Sequence, residues 1–184
     1  MKKSFLLIGM LSSVVLLSGC GHAVSNYSPS SVNVNLLHGL KQNAKAVNLG
    51  KFTDPNNTRA LVCRLEGDEK MPDHVTYVSY VKNALKSELS QSGLYSPNSK
   101  IKLDATLNRV SFNSVTGSAD WKIQMTFNDH IQKPYVIAST YHYSTDIIAD
   151  VACAQVSHAF APAVQQFLHT VYQNPHFKKT LQGK

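Results

Sequence analysis

The side chains able to do chemistry are eight histidines, three cysteines and a scatter of acids and serines. His158 and His169 stand eleven residues apart, about three helical turns, and so share a helix face. At 1.5 Å rise per residue the separation is roughly 16 Å, too far to share a zinc ion. No His-x-x-x-His pair and no His-Glu-x-x-His motif occurs. His142 lies between Tyr141 and Tyr143 and alternates away from them toward solvent. Ser-x-x-Lys occurs at Ser79–Lys82, and the same residue types recur over Ser96–Lys100. Acyl-enzyme chemistry on that motif needs Ser-Asp-Asn and Lys-Thr-Gly partners, which the chain lacks, and no Gly-x-Ser-x-Gly elbow is present. Asp146 and Asp150, four apart at a helix start, could do acid–base work. Acids in a first helical turn also complement the helix dipole, which explains them without catalysis. There is no glycine-rich phosphate loop. The expectation is a protein without catalytic residues, metal or cofactor.

The cysteines say more. Lys2 and Lys3 precede an apolar run from Phe5 to Leu17, broken only by Gly9, Ser12 and Ser13. The run suits a secretory signal and is shorter than the roughly 20 apolar residues that span a bilayer. It ends in Leu17-Ser18-Gly19-Cys20, which resembles the lipobox of bacterial lipoproteins. The resemblance implies cleavage after residue 19, with Cys20 as a lipidated (palmitate-bearing) first mature residue. In those families Asp after the cysteine retains the protein at the inner membrane. This chain has Gly21 there, which implies the outer membrane, facing the periplasm. Cys63 and Cys153 then remain in an oxidising compartment, where one pairing is open to them. A Cys63–Cys153 disulfide would close a loop of about 90 residues, worth at most roughly 4–5 kcal/mol in the chain-entropy treatment. The alternative is two reduced cysteines in the core.

Cleavage leaves 165 residues, enough for one domain with a real core. The formal charge falls from +7 to +5 as Lys2 and Lys3 leave. The basic residues form no stripe and interleave with no aromatic run, so nucleic acid is not an expected partner.

The elements that would position these residues follow in order. Residues 20–31 are rich in Ser, Asn, Gly and Pro and read as a flexible lipidated tether. A single domain over 32–184 follows. Val32, Val34 and Leu36 alternate with Asn33 and Asn35, the pattern of an edge strand. Ala46–Phe52 is a second strand, closed by the turn Asp54-Pro55-Asn56-Asn57. Ala60–Leu65, apolar except for Arg64, reads as a strand inside a sheet. The acidic run Glu66–Glu69 fits no calcium loop and reads as solvated. Val78, Val81, Leu85 and Leu89 recur at helical spacing, predicting a helix over 74–92 capped by Asp73 and ended by Gly93, with Lys82, Lys86 and Glu88 toward water. Three alternating stretches predict a meander. The first slips phase near Asn108-Arg109, which calls for a bulge. The second, Ala119–Phe127, carries Trp121 inward. The third lines up Tyr135, Ile137, Tyr141 and Tyr143. That aromatic stripe reads as core, or as a partner surface wherever it is exposed. A last helix, capped by Asp146 or Asp150, runs through Cys153, Phe160 and Val171, with Pro162 in its middle expected to kink or break it. Asn174-Pro175 opens a short terminal helix.

The expected fold is therefore α+β: a single antiparallel sheet in the order strand, strand, helix, three-strand meander, helix, with two helices on one face. With the lipobox, this layout is similar to small YajG-like and transport-auxiliary lipoproteins. The resemblance implies a small, non-enzymatic, lipid-anchored envelope protein, and the first expectation for its role is an adaptor that binds another envelope component. An amphiphile-binding lipoprotein and a lipid-anchored periplasmic hydrolase are the alternatives.

Overall fold

The computed structural model describes residues 22–58, 60–64 and 66–184. The expected signal over 1–19 and Cys20, the expected lipidation site, lie outside the described residues. The elements in chain order are α1 (Ser31–Leu40), β1 (Asn48–Thr53), β2 (Val62–Cys63), β3 (Gly67–Asp68), α2 (Tyr77–Gln91), β4 (Lys102–Asn113), β5 (Asp120–Asn128), β6 (Tyr135–His142), α3 (Ala149–Gln173) and α4 (Pro175–Gln182).

The α+β class holds, but the single antiparallel sheet does not. The main sheet has four strands in the order β1-β4-β5-β6 and is mixed. β4–β5 and β5–β6 are antiparallel, whereas β1 runs parallel to β4. The reason is α2, which lies in the connection between β1 and β4. A strand, a crossover helix and a return strand pair in parallel. β2 and β3 form a separate two-stranded ribbon. Of the stretch expected as a strand inside the sheet, Ala60–Leu65, Val62–Cys63 pairs in this ribbon instead. Arg64 takes a left-handed φ of 44° and Gly67 a φ of 122°. The chain folds back there, and Val62 is left exposed.

Residues 22–40 hold the largest departure from expectation. The proposed strand Val32–Leu36 is helix α1, capped by the Ser30 side chain, which accepts from the Asn33 amide. Asn33 and Leu37, one turn apart, face inward, while Val32 is exposed. Residues 22–30 are not a free tether. Val24 is buried, its amide donating to the Lys70 carbonyl at 2.9 Å. Tyr80 Oη donates to the Ser25 carbonyl and Gln165 Nε2 to the Ser28 carbonyl, each at 2.8 Å.

The rest follows its periodicity. α2 is capped by Thr76, whose hydroxyl accepts from the Ser79 amide. Asp73 does not cap it, because it sits in left-handed backbone within a preceding 3-10 turn. The helix ends at Gly93 with φ 72°. In the β4–β5 pair Leu107 faces Met125 and Arg109 faces Gln124, so Asn108 is the extra residue of a bulge. The slip lets Leu103, Ala105 and Leu107, then Val110, all point into the core. Trp121, Ile123, Met125 and Phe127 of β5 and Tyr135 and Ile137 of β6 join them. α2 and α3 cover this face. Trp121 packs on Phe160 at 4.7 Å between ring centroids, and its Nε1 donates to the Val156 carbonyl at 2.9 Å. α3 continues through Pro162 for 25 residues, and α1 lies against both α2 and α3.

Candidate functional site

Two polar clusters hold the N-terminal segment, and both are built on carboxylates that the sequence pattern hides. The first is Glu88, fully buried on α2. Its Oε1 accepts from Tyr27 Oη at 2.6 Å and the Ser30 amide at 2.9 Å. Its Oε2 accepts from Tyr172 Oη at 2.8 Å, and Asn33 Nδ2 reaches both oxygens at 3.2 and 3.3 Å. Four residues from three other parts of the chain converge on one carboxylate. The placement corrects the expectation of a solvated Glu88. Val81 and Glu88 are seven apart, two helical turns, so Glu88 shares the buried face of α2. The phenols of Tyr27 and Tyr172 are held well above their usual range, by burial first and by the carboxylate they bond.

The second cluster is at the start of α3. The Cys63–Cys153 disulfide is formed, 90 residues apart in sequence, and pins the ribbon to the helix. Beside it lies Glu69, buried in the loop expected to be solvated, with Glu66 and Asp68 exposed around it. Ser157 Oγ donates to Glu69 Oε2. Burial raises the Glu69 carboxyl above its ordinary range, opposed by the Ser157 hydrogen bond and the nearby His22. The sulfurs of Cys63 and Cys153 and a Glu69 oxygen lie within 4.8 Å of one another. With the sulfurs joined, the group is a covalent staple rather than a ligand set, since the thiolate is the metal-binding form. His22 Nε2 lies 2.8 Å from Asp150 Oδ1 at the same end. Arg64 completes it: Nη1 donates to the Ile147 carbonyl at 2.9 Å, and Nη2 donates to the Ser114 carbonyl.

The remaining candidate residues do not converge on a reaction centre. Lys82 Nζ donates to the Gly50 carbonyl and lies over the Phe52 ring, while Ser79 Oγ accepts from Thr76 Oγ1. Asp146 accepts from the Ile148 amide, which ties down the loop before α3. His169 Nδ1 is 2.9 Å from Asn33 Oδ1, and His158 is exposed. Of the tyrosine stripe, Tyr135 is core, stacked on Phe127. Tyr143 is half-buried with its hydroxyl donating to the Asn113 carbonyl. Tyr141 is half-buried and lines an open groove of about 370 Å³ with Val32, Pro162, Gln166 and His169, beside the free edge of β6.

No helix among the described residues is long and apolar enough to cross a membrane. No family model and no curated protein matches the chain. It is similar to solved structures. One is a Xanthomonas campestris protein described by the DUF330 family, 12% identical over 88% of this chain and 95% of that one, with a TM-score of 0.48. Another is a minor lipoprotein of Acinetobacter baumannii, 14% identical over 71% of this chain and 91% of that one, with a TM-score of 0.42. At these identities and scores no residue role transfers.

Proposed function

We propose that this chain is a lipid-anchored envelope protein, held through Cys20 at the outer membrane, whose domain binds another envelope component and runs no reaction. The observation that carries the reading is Leu17-Ser18-Gly19-Cys20 at the end of a short apolar run behind Lys2 and Lys3. The Cys63–Cys153 bridge supports export, because disulfides persist in oxidising compartments. The adaptor reading draws support from how the acids are engaged: Glu88 is saturated with donors, and Asp146 and Asp150 are tied to neighbouring groups. The amphiphile-binding alternative would need a lumen between sheet and helices, a layer filled by Trp121, Phe127, Phe160 and Phe167.

The test of the anchor is a C20A variant. It should lose palmitate labelling and leave the membrane fraction, and membrane retention without the acyl group would sink the reading. For the adaptor, photo-crosslinkers at Val32 and Gln166, on the Tyr141 groove, should capture one reproducible envelope neighbour in intact cells. Capture of none would refute it.

A further inference from the structure

The chain meets the proposed lipid at a fixed place on the domain. Cys20 is two residues before His22, and two residues of extended chain span at most about 7 Å. His22 is held at the start of α3 by Asp150 and by the pairing of Ala23 with Lys70. An acylated Cys20 therefore brings this end of the molecule against the head groups.

The same end exposes apolar side chains. Ile147 is 82% exposed and Ile148 64%, and Val151, one turn further along α3, is 39% exposed. Val115, 61% exposed, stands on the β4–β5 turn beside them. The two loops are fastened together. Arg64 donates to carbonyls on both, and Thr116 Oγ1 donates to the Asp146 carbonyl at 3.2 Å. The far end of β5, a nine-residue strand about 30 Å long, offers an internal contrast: Ile131 is exposed there too, but remote from the anchor.

We infer that Ile147, Ile148, Val151 and Val115 form a membrane-resting surface that enters the boundary between head groups and acyl chains, fixing the orientation of the domain on the bilayer. The inference rests on the anchor at Cys20 proposed above. The contact is apolar rather than electrostatic, because the same end carries Glu66, Asp68 and Asp150 alongside Lys70, with Asp146 next to Ile147 in the chain, and so presents no cationic cluster. It therefore needs no anionic lipid and resists salt.

The experiment uses the processed full chain in phosphatidylcholine vesicles with bromines on the acyl chains. Trp121 is buried and serves as the unquenched background. A mass spectrum of the N-terminal peptide and vesicle flotation come first; absence of acylation and flotation overturns the anchor reading and this inference together. With the anchor present, I147W and V115W should lose emission to the bromines, at low and high salt alike, while I131W keeps it. Adding I147D and I148D to V115W should restore its emission without releasing the protein from vesicles. An anchored I147W as bright as I131W overturns the surface and leaves the anchor standing. Shielding of I147W from acrylamide in cell envelopes, without bromine quenching in vesicles, overturns it in favour of a protein occupant.

Discussion

Glu88 and Glu69 are both buried carboxylates, both placed where the N-terminal segment meets the helices, and they are stabilised in opposite ways. Glu88 is surrounded by donors from Tyr27, Ser30, Asn33 and Tyr172. Glu69 has one side-chain donor, Ser157, and a disulfide as its neighbour. Hydrogen bonds do at the first site what a covalent bond does at the second: each joins the segment before α2 to α3. A buried acid is tolerated where every lone pair is answered, and is costly where few are.

Breaking the first site should have the largest effect. E88A leaves two phenols and an amide without their acceptor, with Asn33 keeping only the Gln165 carbonyl, and should cost about 3–5 kcal/mol, read as a lower urea midpoint. Should E88A unfold at the wild-type midpoint, the network is not what holds α1 in place. Removing the staple in the double variant C63A/C153A should cost about 2–4 kcal/mol, with protease sensitivity appearing first around residues 60–70. Equal sensitivity across α1 would show that the two sites are not separate. Y77F is expected to be neutral or to raise stability by up to about 1 kcal/mol, because the Tyr77 hydroxyl is buried without a hydrogen-bond partner. A clear loss on thermal melting would mean that this hydroxyl is bonded in solution.

The smallest effect is the pH dependence of Glu69. Its carboxyl is raised in the folded protein, while the unfolded chain releases that proton near 4.5. The folded state binds more protons in between, so this group lowers stability as pH climbs from about 4.5 through the folded value, and the deficit persists above it. E69Q should remove that decline and be the more stable form at neutral pH. A pair of parallel stability curves for E69Q and the parent would refute the assignment.

Much of the scaffold was legible from residue spacing, and the two carboxylates were not, for one reason. α2 and the β4–β5 hairpin announce themselves because Leu85 or Ile123 can only be inward. The phase slip at Asn108 reads as a bulge because a strand cannot otherwise keep both Leu107 and Val110 in the core. Glu88 and Asn33 point inward too, but their polarity counts as a vote for solvent in any apolar–polar pattern. That misplaced vote turned α1 into a strand, since Val32, Val34 and Leu36 then seemed to form the buried set. The parallel pairing of β1 with β4 was available from the order strand, helix, strand. It was obscured by giving Ala60–Leu65 a place in the sheet that the backward turn at Arg64 and Gly67 denies it.

The course of residues 22–30 has a mechanical consequence. The segment runs from Asp150 past Lys70 and Tyr80 to the Glu88 cluster, secured by contacts that follow one another along the chain. A load applied at its N-terminal end reaches those contacts one at a time, starting with His22, and peels rather than shears. The five residues 22–26, released in this way, lengthen the leash by at most about 18 Å, and Tyr27, bonded to Glu88, is the stop at which the peeling ends.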